Sequence, residues 1–179
     1  IMKYLLLSFS ILLAASNAQA ASSGHSHDHK SKYSGEENRA IKSLSAKDIA
    51  ELKRGGGWGL AKAAELNGVP GPAHLLELTD QIRLNPVQVE KITRLFLNMK
   101  HHAMEKGERL IVLEQKLENH FVAGTINKEN LRTALEEIGR TRSELRYIHL
   151  ATHLETPKIL SPHQIEKYNH LRGYKTQAD

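Results

Sequence analysis

Apolar residues recur at steps of three and four positions in two long stretches, from Pro86 to about Phe121 and from about Asn127 to just before Pro157. Such steps place side chains on one face of a helix, so each stretch predicts a long amphipathic α-helix. Gly124 lies where a helix terminator is expected, and the short turn predicts an antiparallel helical hairpin. Strand patterns are absent, and we predict an all-α fold with shorter helices flanking the hairpin. The apolar positions are Val89, Ile92, Phe96, Met99, Ala103, Leu110, Leu113, Leu117 and Phe121 in the first helix, and Leu131, Leu135, Ile138, Leu145 and Ile148 in the second.

One local pattern marks four helix starts. An apolar residue precedes Ser or Asn, and a second apolar residue follows five positions after the first. Ser or Asn at the N-cap accepts a hydrogen bond from a free backbone N–H, and the apolar pair forms a hydrophobic staple. The second and fourth starts also carry Pro at the first helical position and Gln at the third. The four starts are Leu44-Ser45 with Ile49, Leu84-Asn85 with Val89, Ile126-Asn127 with Leu131, and Leu160-Ser161 with Ile165.

Residues 1–20 have the pattern of a secretory signal. Lys3 precedes an apolar run from Tyr4 to Ala15, and the small-residue site Ala18-Gln19-Ala20 follows. The run is shorter than the roughly 20 apolar residues of a membrane span, and we expect cleavage before Ala21 and export to the periplasm. A retained N-terminal anchor is the alternative.

The rest of the chain divides by composition. The glycines of residues 55–59 do not predict a phosphate-binding loop, because no strand precedes them and the Walker spacing is absent. We interpret them, with Pro70-Gly71-Pro72, as a hinge. The predicted segments are a flexible His-rich tail over 21–41, short helices with this Gly/Pro hinge over 42–83, the hairpin and a C-terminal helix over 84–174, and a tail over 175–179.

Composition excludes several classes of protein. The 179 residues include no cysteine, which excludes a disulfide scaffold, a thiol enzyme and a Cys-ligated metal centre. The net charge of +5 favours acidic or poorly structured partners, and nucleic acid is not expected for an exported chain. Neither a nucleophile elbow nor an HExxH motif occurs, and we do not expect an enzyme.

Two of the helix starts resemble a family motif. Leu84-Asn85-Pro86-Val87-Gln88 and Leu160-Ser161-Pro162-His163-Gln164 are similar to the paired Leu-Thr-x-x-Gln motifs of Spy/CpxP-type periplasmic proteins. That family includes stress chaperones, signalling inhibitors and heavy-metal sensors or resistance proteins, and the resemblance covers roughly residues 75–174. The family's Thr is replaced by Asn85 and Ser161, which also cap helices. The corresponding motif residues are Leu84, Asn85, Gln88, Leu160, Ser161 and Gln164.

The resemblance implies a four-helix protomer that dimerises into a curved cradle and holds unfolded clients without ATP. The implied partners are unfolded or envelope proteins, a second copy of the chain and a membrane sensor protein. Basic side chains beside apolar ones suit adaptable binding, although each of them also fits a solvated helix face. The candidate client contacts are Arg83, Arg94, Lys100, Arg132, Arg140 and Arg142.

Histidine is frequent, with 11 residues. If the hairpin turns near Thr125, residues that face each other have numbers summing to about 250, which brings His101, His102, His149 and His153 to one level. A His-x-x-x-His pair with a third ligand from the facing helix suits a metal ion. Consecutive histidines diverge by about 100° on a helix, however, and His149 and His153 also fit a structural role.

The tail contains a second group of histidines. In His25-Ser26-His27-Asp28-His29, alternate imidazoles on an extended chain suit Zn²⁺, Cu²⁺ or Ni²⁺, and a solvated linker is the alternative. No cofactor is required by the predicted fold. The sequence therefore predicts a Spy/CpxP-like chaperone or stress protein, and the alternative is a heavy-metal binding or sensing protein that uses the hairpin histidines and His25, His27 and His29.

Overall fold

The computed structural model describes residues 30–174, so the predicted signal segment, the tail histidines and residues 175–179 lie outside the described residues. Two units are distinguished, and all elements discussed below belong to the unit that begins at Gly35. Within residues 30–174, 71% are helical and no strand occurs, which confirms the all-α prediction. The helices are α1 (Ala46–Lys53), α2 (Lys62–Glu65), α3 (Pro72–Glu77), α4 (Thr79–Ile82), α5 (Pro86–Val122), α6 (Lys128–Glu155) and α7 (Pro162–Leu171).

Every predicted N-cap is a cap in the structure. Each capping side chain accepts a bond from the third backbone N–H of its helix, and each third side chain bonds back to the cap. The sequence predicts this reciprocal role for Gln88 and Gln164, and the structure adds Asp48 in α1 and Asn130 in α6. The four caps are Ser45, Asn85, Asn127 and Ser161.

The two long helices α5 and α6 pack against each other and run in opposite directions. Lys106 Nζ lies 2.8 Å from Glu144 Oε2, and Arg109 Nη2 lies 3.7 Å from Glu137 Oε2. The connection spans residues 123–127, and Gly124 has a φ of 64°, the left-handed conformation that favours glycine at a helix end.

Buried side chains form two separate cores. The first lies where α1 meets α5 and α6, and the second lies where α3, α4 and α7 meet the start of α5. Burial of an aliphatic side chain contributes about 1.5–3 kcal/mol, so both cores stabilise the fold. The first core contains Ile41, Leu44, Leu52, Leu60, Ala103, Leu110, Leu113, Ile138 and Leu145, and the second contains Leu75, Ile82, Ile92, Leu160 and Tyr168.

Three expectations need correction here. Ile41, assigned to the tail, is only 3% exposed and belongs to the first core. Phe121 and Leu135, assigned to the apolar stripes, are exposed, because they lie closer to the turn than Leu113 and Ile138, the last buried members of the first core in α5 and α6.

Two glycines allow short helices to approach α5. A Cβ at Gly107 would lie 2.4 Å from the backbone oxygen of Leu52 in α1. A Cβ at Gly55, where φ is 68°, would lie 2.7 Å from the backbone oxygen of Lys100. The segment interpreted as a hinge therefore contains a close backbone contact with α5, at a residue whose conformation suits glycine.

The two family-like motifs contact each other. Gln88 Nε2 donates to Gln164 Oε1 at 2.9 Å, and Gln164 Nε2 donates to Gln88 Oε1 at 3.0 Å. Each Oε1 also accepts from the backbone N–H of its own cap, Asn85 or Ser161. We call this reciprocal contact the glutamine bridge, and it joins the start of α5 to the start of α7.

Candidate functional site

The structure separates the four hairpin histidines predicted to gather. His101 and His102 are exposed, whereas His149 and His153 are buried. Ala103, fully buried, marks the core face of α5, and His101 two positions earlier lies about 200° away from it. His102 Nδ1 bonds to the backbone oxygen of Asn98 on its own helix. The predicted four-histidine site is therefore not assembled.

No group of three or more His, Cys, Asp or Glu side chains among residues 30–174 is arranged to hold a metal ion. His25, His27 and His29 lie outside the described residues. His120 Nδ1 lies 2.9 Å from Thr125 Oγ1 in the turn, and His163 is exposed beside Glu166.

A cavity of about 520 Å³ lies beside the buried histidines. Its wall combines the glycine-rich loop with the start of α3, the middle of α5 and the last third of α6. Both imidazoles, several apolar side chains and charged side chains such as Arg54, Glu65 and Lys100 line it, so it is a mixed apolar and charged cavity. Its lining includes residues 54–59, Glu65, Gly71, Pro72, Phe96, Met99, Lys100, His149 and His153.

His149 has an unpartnered polar atom beside this cavity. Its side chain is 2% exposed, and Nε2 is buried with no hydrogen-bond partner. Burial lowers the pKa of His149 below the ordinary value of 6.5, and the neighbouring His153 lowers the pKa further. His149 is therefore neutral near pH 7, and a buried imidazole nitrogen without a partner calls for an explanation.

His153 is held by the loop before α3. Its Nδ1 lies 2.9 Å from the backbone oxygen of Val69, an acceptor, so Nδ1 carries the proton in the neutral ring. The Nε2 atom then carries the lone pair. A Cβ at Gly71 would lie 2.7 Å from both Cε1 and Nε2 of His153, so glycine keeps this ring edge free of a side chain.

The buried imidazole of His149 predicts acid-sensitive stability. The folded pKa of His149 lies below its ordinary 6.5, so the unfolded chain binds more protons as the pH falls through 6.5. The free energy of unfolding should then fall with pH, by at most about 1.4 kcal/mol per pH unit for this one proton. Urea unfolding between pH 7.5 and 5.5 measures this slope. His149→Gln should reduce this slope, whereas His102→Gln, at an exposed position, should leave it unchanged. Equal slopes in both variants would contradict the assignment of the slope to His149.

Glu65 anchors α7 beside the cavity. Its Oε1 accepts from Tyr168 Oη at 2.5 Å and from Tyr174 Oη at 3.0 Å, and Arg172 Nε lies 3.4 Å away. Its Oε2 lies 3.9 Å from His153 Nδ1. Burial raises the pKa of Tyr168, and the bond to Glu65 raises the pKa further, which keeps the hydroxyl protonated as a donor.

The predicted client-binding cations have different surroundings. Lys100 is half-buried at the cavity wall near the Phe96 ring, and the Arg142 guanidinium lies 4.7 Å from the centre of the Trp58 ring. Arg83 ends α4 in the left-handed region, with a φ of 59°. The remaining predicted cations, Arg94, Arg132 and Arg140, are exposed on the long helices.

Large apolar side chains are exposed on the same two helices. Leu97, Tyr147 and Leu154 are all more than half exposed, and the last two lie seven residues apart on one face of α6. Ala151 lies between them on the same face, four residues after Tyr147. The further exposed apolar residues of α5 and α6 are Val87, Met104, Val112, Phe121, Val122 and Leu135.

Sequence reasoning missed Glu65, Gly71 and Trp58 as members of the site. Pro70-Gly71-Pro72 was a usable signal, because glycine between two prolines indicates a fixed corner where another group approaches closely. For Glu65 and Trp58 nothing in the local sequence indicated their partners.

Across residues 30–174, no helix combines the length and apolar character needed to cross a membrane. Comparison of the chain with protein-family models, curated proteins and solved structures gave no match.

Proposed function

We propose that the protein is a non-enzymatic, exported binding protein of the Spy/CpxP-like kind, which holds unfolded polypeptides on the outer surfaces of α5 and α6. The observation that carries this proposal is the exposure of large apolar side chains on both long helices. Tyr147 and Leu154 share one face of α6, and exposed apolar groups that share a face indicate an interaction surface more often than single scattered ones do.

Basic residues lie close to these apolar positions. Arg94 precedes Leu97 by three residues, and Arg132 precedes Leu135 by three, which places each pair on one helix face. Leu131, Arg132 and Leu135 also line a shallow groove at the start of α6. Apolar contact beside mobile positive charge suits weak binding of many different unfolded chains, since neither requires a fixed partner geometry.

We prefer this proposal to the heavy-metal alternative. That alternative uses the hairpin and tail histidines. His101 and His102 are exposed whereas His149 and His153 are buried, and His25, His27 and His29 lie outside the described residues. The paired motifs support the proposal in a second way, because their glutamine bridge gives the two motif copies a shared structural role.

An aggregation assay tests this function. The full chain should suppress aggregation of a denatured client protein without ATP and with EDTA present. Combining Leu97→Gln, Leu135→Gln, Tyr147→Gln and Leu154→Gln should raise the concentration needed for half-suppression about tenfold, because partial burial of four apolar side chains contributes more than about 1.4 kcal/mol. The free energy of unfolding should change little, since all four positions are exposed.

Matched controls come from two exposed leucines outside the long helices. Leu66→Gln and Leu171→Gln remove similar surface area and should leave suppression unchanged. If this pair weakens suppression as much as Tyr147→Gln with Leu154→Gln, or if the fourfold variant suppresses normally, the binding surface is not on α5 and α6.

A further inference from the structure

Apolar side chains form much of the wall of the cavity beside α3. Met99 and Pro72 are buried, whereas Trp58 and Phe96 are partly exposed. The Trp58 ring is fixed in position, because its Nε1 donates to Asp48 Oδ1 at 2.8 Å. The cavity volume of about 520 Å³ lies within the range of roughly 300–1,000 Å³ that is usual for small-ligand sites. The apolar side chains of the lining are Trp58, Ala61, Pro72, Ala73, Phe96 and Met99.

Two lysines of the same lining have no partner of opposite charge. Among residues 30–174, neither Lys62 nor Lys100 forms an ion pair or donates a side-chain hydrogen bond. Lys62 is exposed and Lys100 is half-buried. The Lys100 ammonium lies 5.9 Å from the centre of the Phe96 ring, so this positive charge is placed beside the apolar wall.

The other charged side chains of the described lining each have a partner. Glu65 lies 3.4 Å from the Arg172 guanidinium, and two tyrosine hydroxyls donate to it. Glu77 lies 2.9 Å from His74 Nδ1. Arg54 forms an ion pair with a carboxylate of α1. The two lysines are therefore the charged groups available to a ligand, and they suit an anion.

The glycine-rich loop holds both lysine side chains at the cavity. A Cβ at Gly55 would lie 3.2 Å from Lys100 Cγ, and a Cβ at Gly59 would lie 3.3 Å from Lys62 Cε. Both glycines have a positive φ, of 68° and 70°, which favours glycine at these positions. The loop that the sequence indicates as a hinge therefore packs against one lysine at each of its ends.

The lining also sets the orientation of a ligand. Lys62 and Gly57 are exposed and give access from solvent, whereas Met99 and Pro72 are buried. A ligand with a charged head and an apolar body keeps its head near the solvent and its body against the buried wall, because burial of a charge without a partner is costly.

We propose that this cavity binds a small amphipathic carboxylate of the fatty-acid class. The carboxylate pairs with Lys62 and Lys100. The alkyl chain lies against Phe96, Met99 and Pro72. This inference does not rest on the client-binding proposal, since none of the four apolar residues substituted in the aggregation assay lines the cavity.

Ligands with one alkyl chain and different head groups test the charge requirement. Trp58 is the single tryptophan of the chain and lines the cavity, so its fluorescence reports binding. Titration of the full chain with decanoate, below the concentration at which micelles form, should give a saturable change. Decanol and decyltrimethylammonium, with a neutral and a cationic head, should bind about tenfold more weakly or less. A flat fluorescence response, or equal affinity for the three ligands, would overturn the proposal.

Substitutions then separate the charged and apolar parts of the site. Lys62→Gln with Lys100→Gln should weaken decanoate binding about tenfold and leave decanol binding unchanged. Lys47→Gln with Lys91→Gln removes the same charge at exposed positions outside the cavity and should leave both affinities unchanged. Phe96→Ala should weaken both ligands by a similar factor, because it removes apolar wall and no charge. Unchanged decanoate affinity in the Lys62 and Lys100 variant would overturn the proposal.

The fourfold variant of the aggregation assay distinguishes the cavity from the outer surfaces of α5 and α6. It should bind decanoate with unchanged affinity, because its four substitutions lie outside the cavity lining. Loss of decanoate binding in this variant would place the ligand on the outer surfaces and would overturn the proposal. A chain that binds decanoate as expected but does not suppress aggregation would support the cavity site and contradict the client-binding proposal alone.

Discussion

Gly107→Ala is expected to lower the free energy of unfolding by about 2 kcal/mol, although alanine favours helix formation over glycine. The new Cβ would lie 2.4 Å from the Leu52 oxygen and 2.9 Å from the Leu52 carbonyl carbon, and both are backbone atoms that cannot rotate away. Helix α1 must therefore shift, and with it Leu52, which is buried in the first core. Urea unfolding followed by circular dichroism measures the loss.

Gly139 is the matched control for this prediction. It also lies inside a long helix, α6, but a Cβ there would meet no atom within 4 Å. Gly139→Ala should therefore increase the free energy of unfolding by up to about 1 kcal/mol, through helix propensity alone. The same sign for both substitutions would mean that α1 does not pack closely on α5 at Gly107.

Glu65→Ala is expected to lower the free energy of unfolding by about 3 kcal/mol. The substitution leaves the buried Tyr168 hydroxyl without its acceptor and Arg172 without its nearest carboxylate. Because Tyr168 and Tyr174 both donate to Glu65, the loss should be greatest at the end of α7. Urea unfolding gives the total loss in free energy, and amide hydrogen exchange along α7 shows where the structure opens.

Glu155 supplies the comparison, since it also forms an ion pair, with Lys158, but on the surface. Glu155→Ala should change the free energy of unfolding by less than about 0.5 kcal/mol, as exposed pairs contribute little. Glu65→Gln keeps an acceptor oxygen without the charge. Its loss of free energy of unfolding should therefore lie between those of Glu65→Ala and Glu155→Ala. A Glu65→Ala effect as small as that of Glu155→Ala would show that α7 is held by its apolar contacts alone.

Features encoded within a few residues were predictable from the sequence. The caps Ser45, Asn85, Asn127 and Ser161 were found because a capping bond joins residues two or three positions apart. The two long helices followed from their periodicity, and Gly124 ends α5 as its position indicated.

The site depended on contacts that local sequence does not encode. Residue numbers allow the position of each histidine along the two long helices to be estimated. They do not indicate which face of α5 is buried, because the helices that pack on α5 determine that face. Because α1 packs against Gly107, the face of α5 that carries Gly107 is buried. His101 lies on another face of the helix and is exposed. The partners of His153 come from residues 65–71, more than 80 positions earlier in the chain, and no spacing rule indicates them.

The glutamine bridge has a consequence for how the molecule comes apart. The oxygens by which Gln88 and Gln164 bond to each other also accept from the backbone N–H groups of Asn85 and Ser161, the N-caps of α5 and α7. Rotation of either side chain therefore breaks both bonds of the bridge and also frees the cap amide of its own helix. The fraying of two helix starts separated by 76 residues of chain is therefore coupled through one contact.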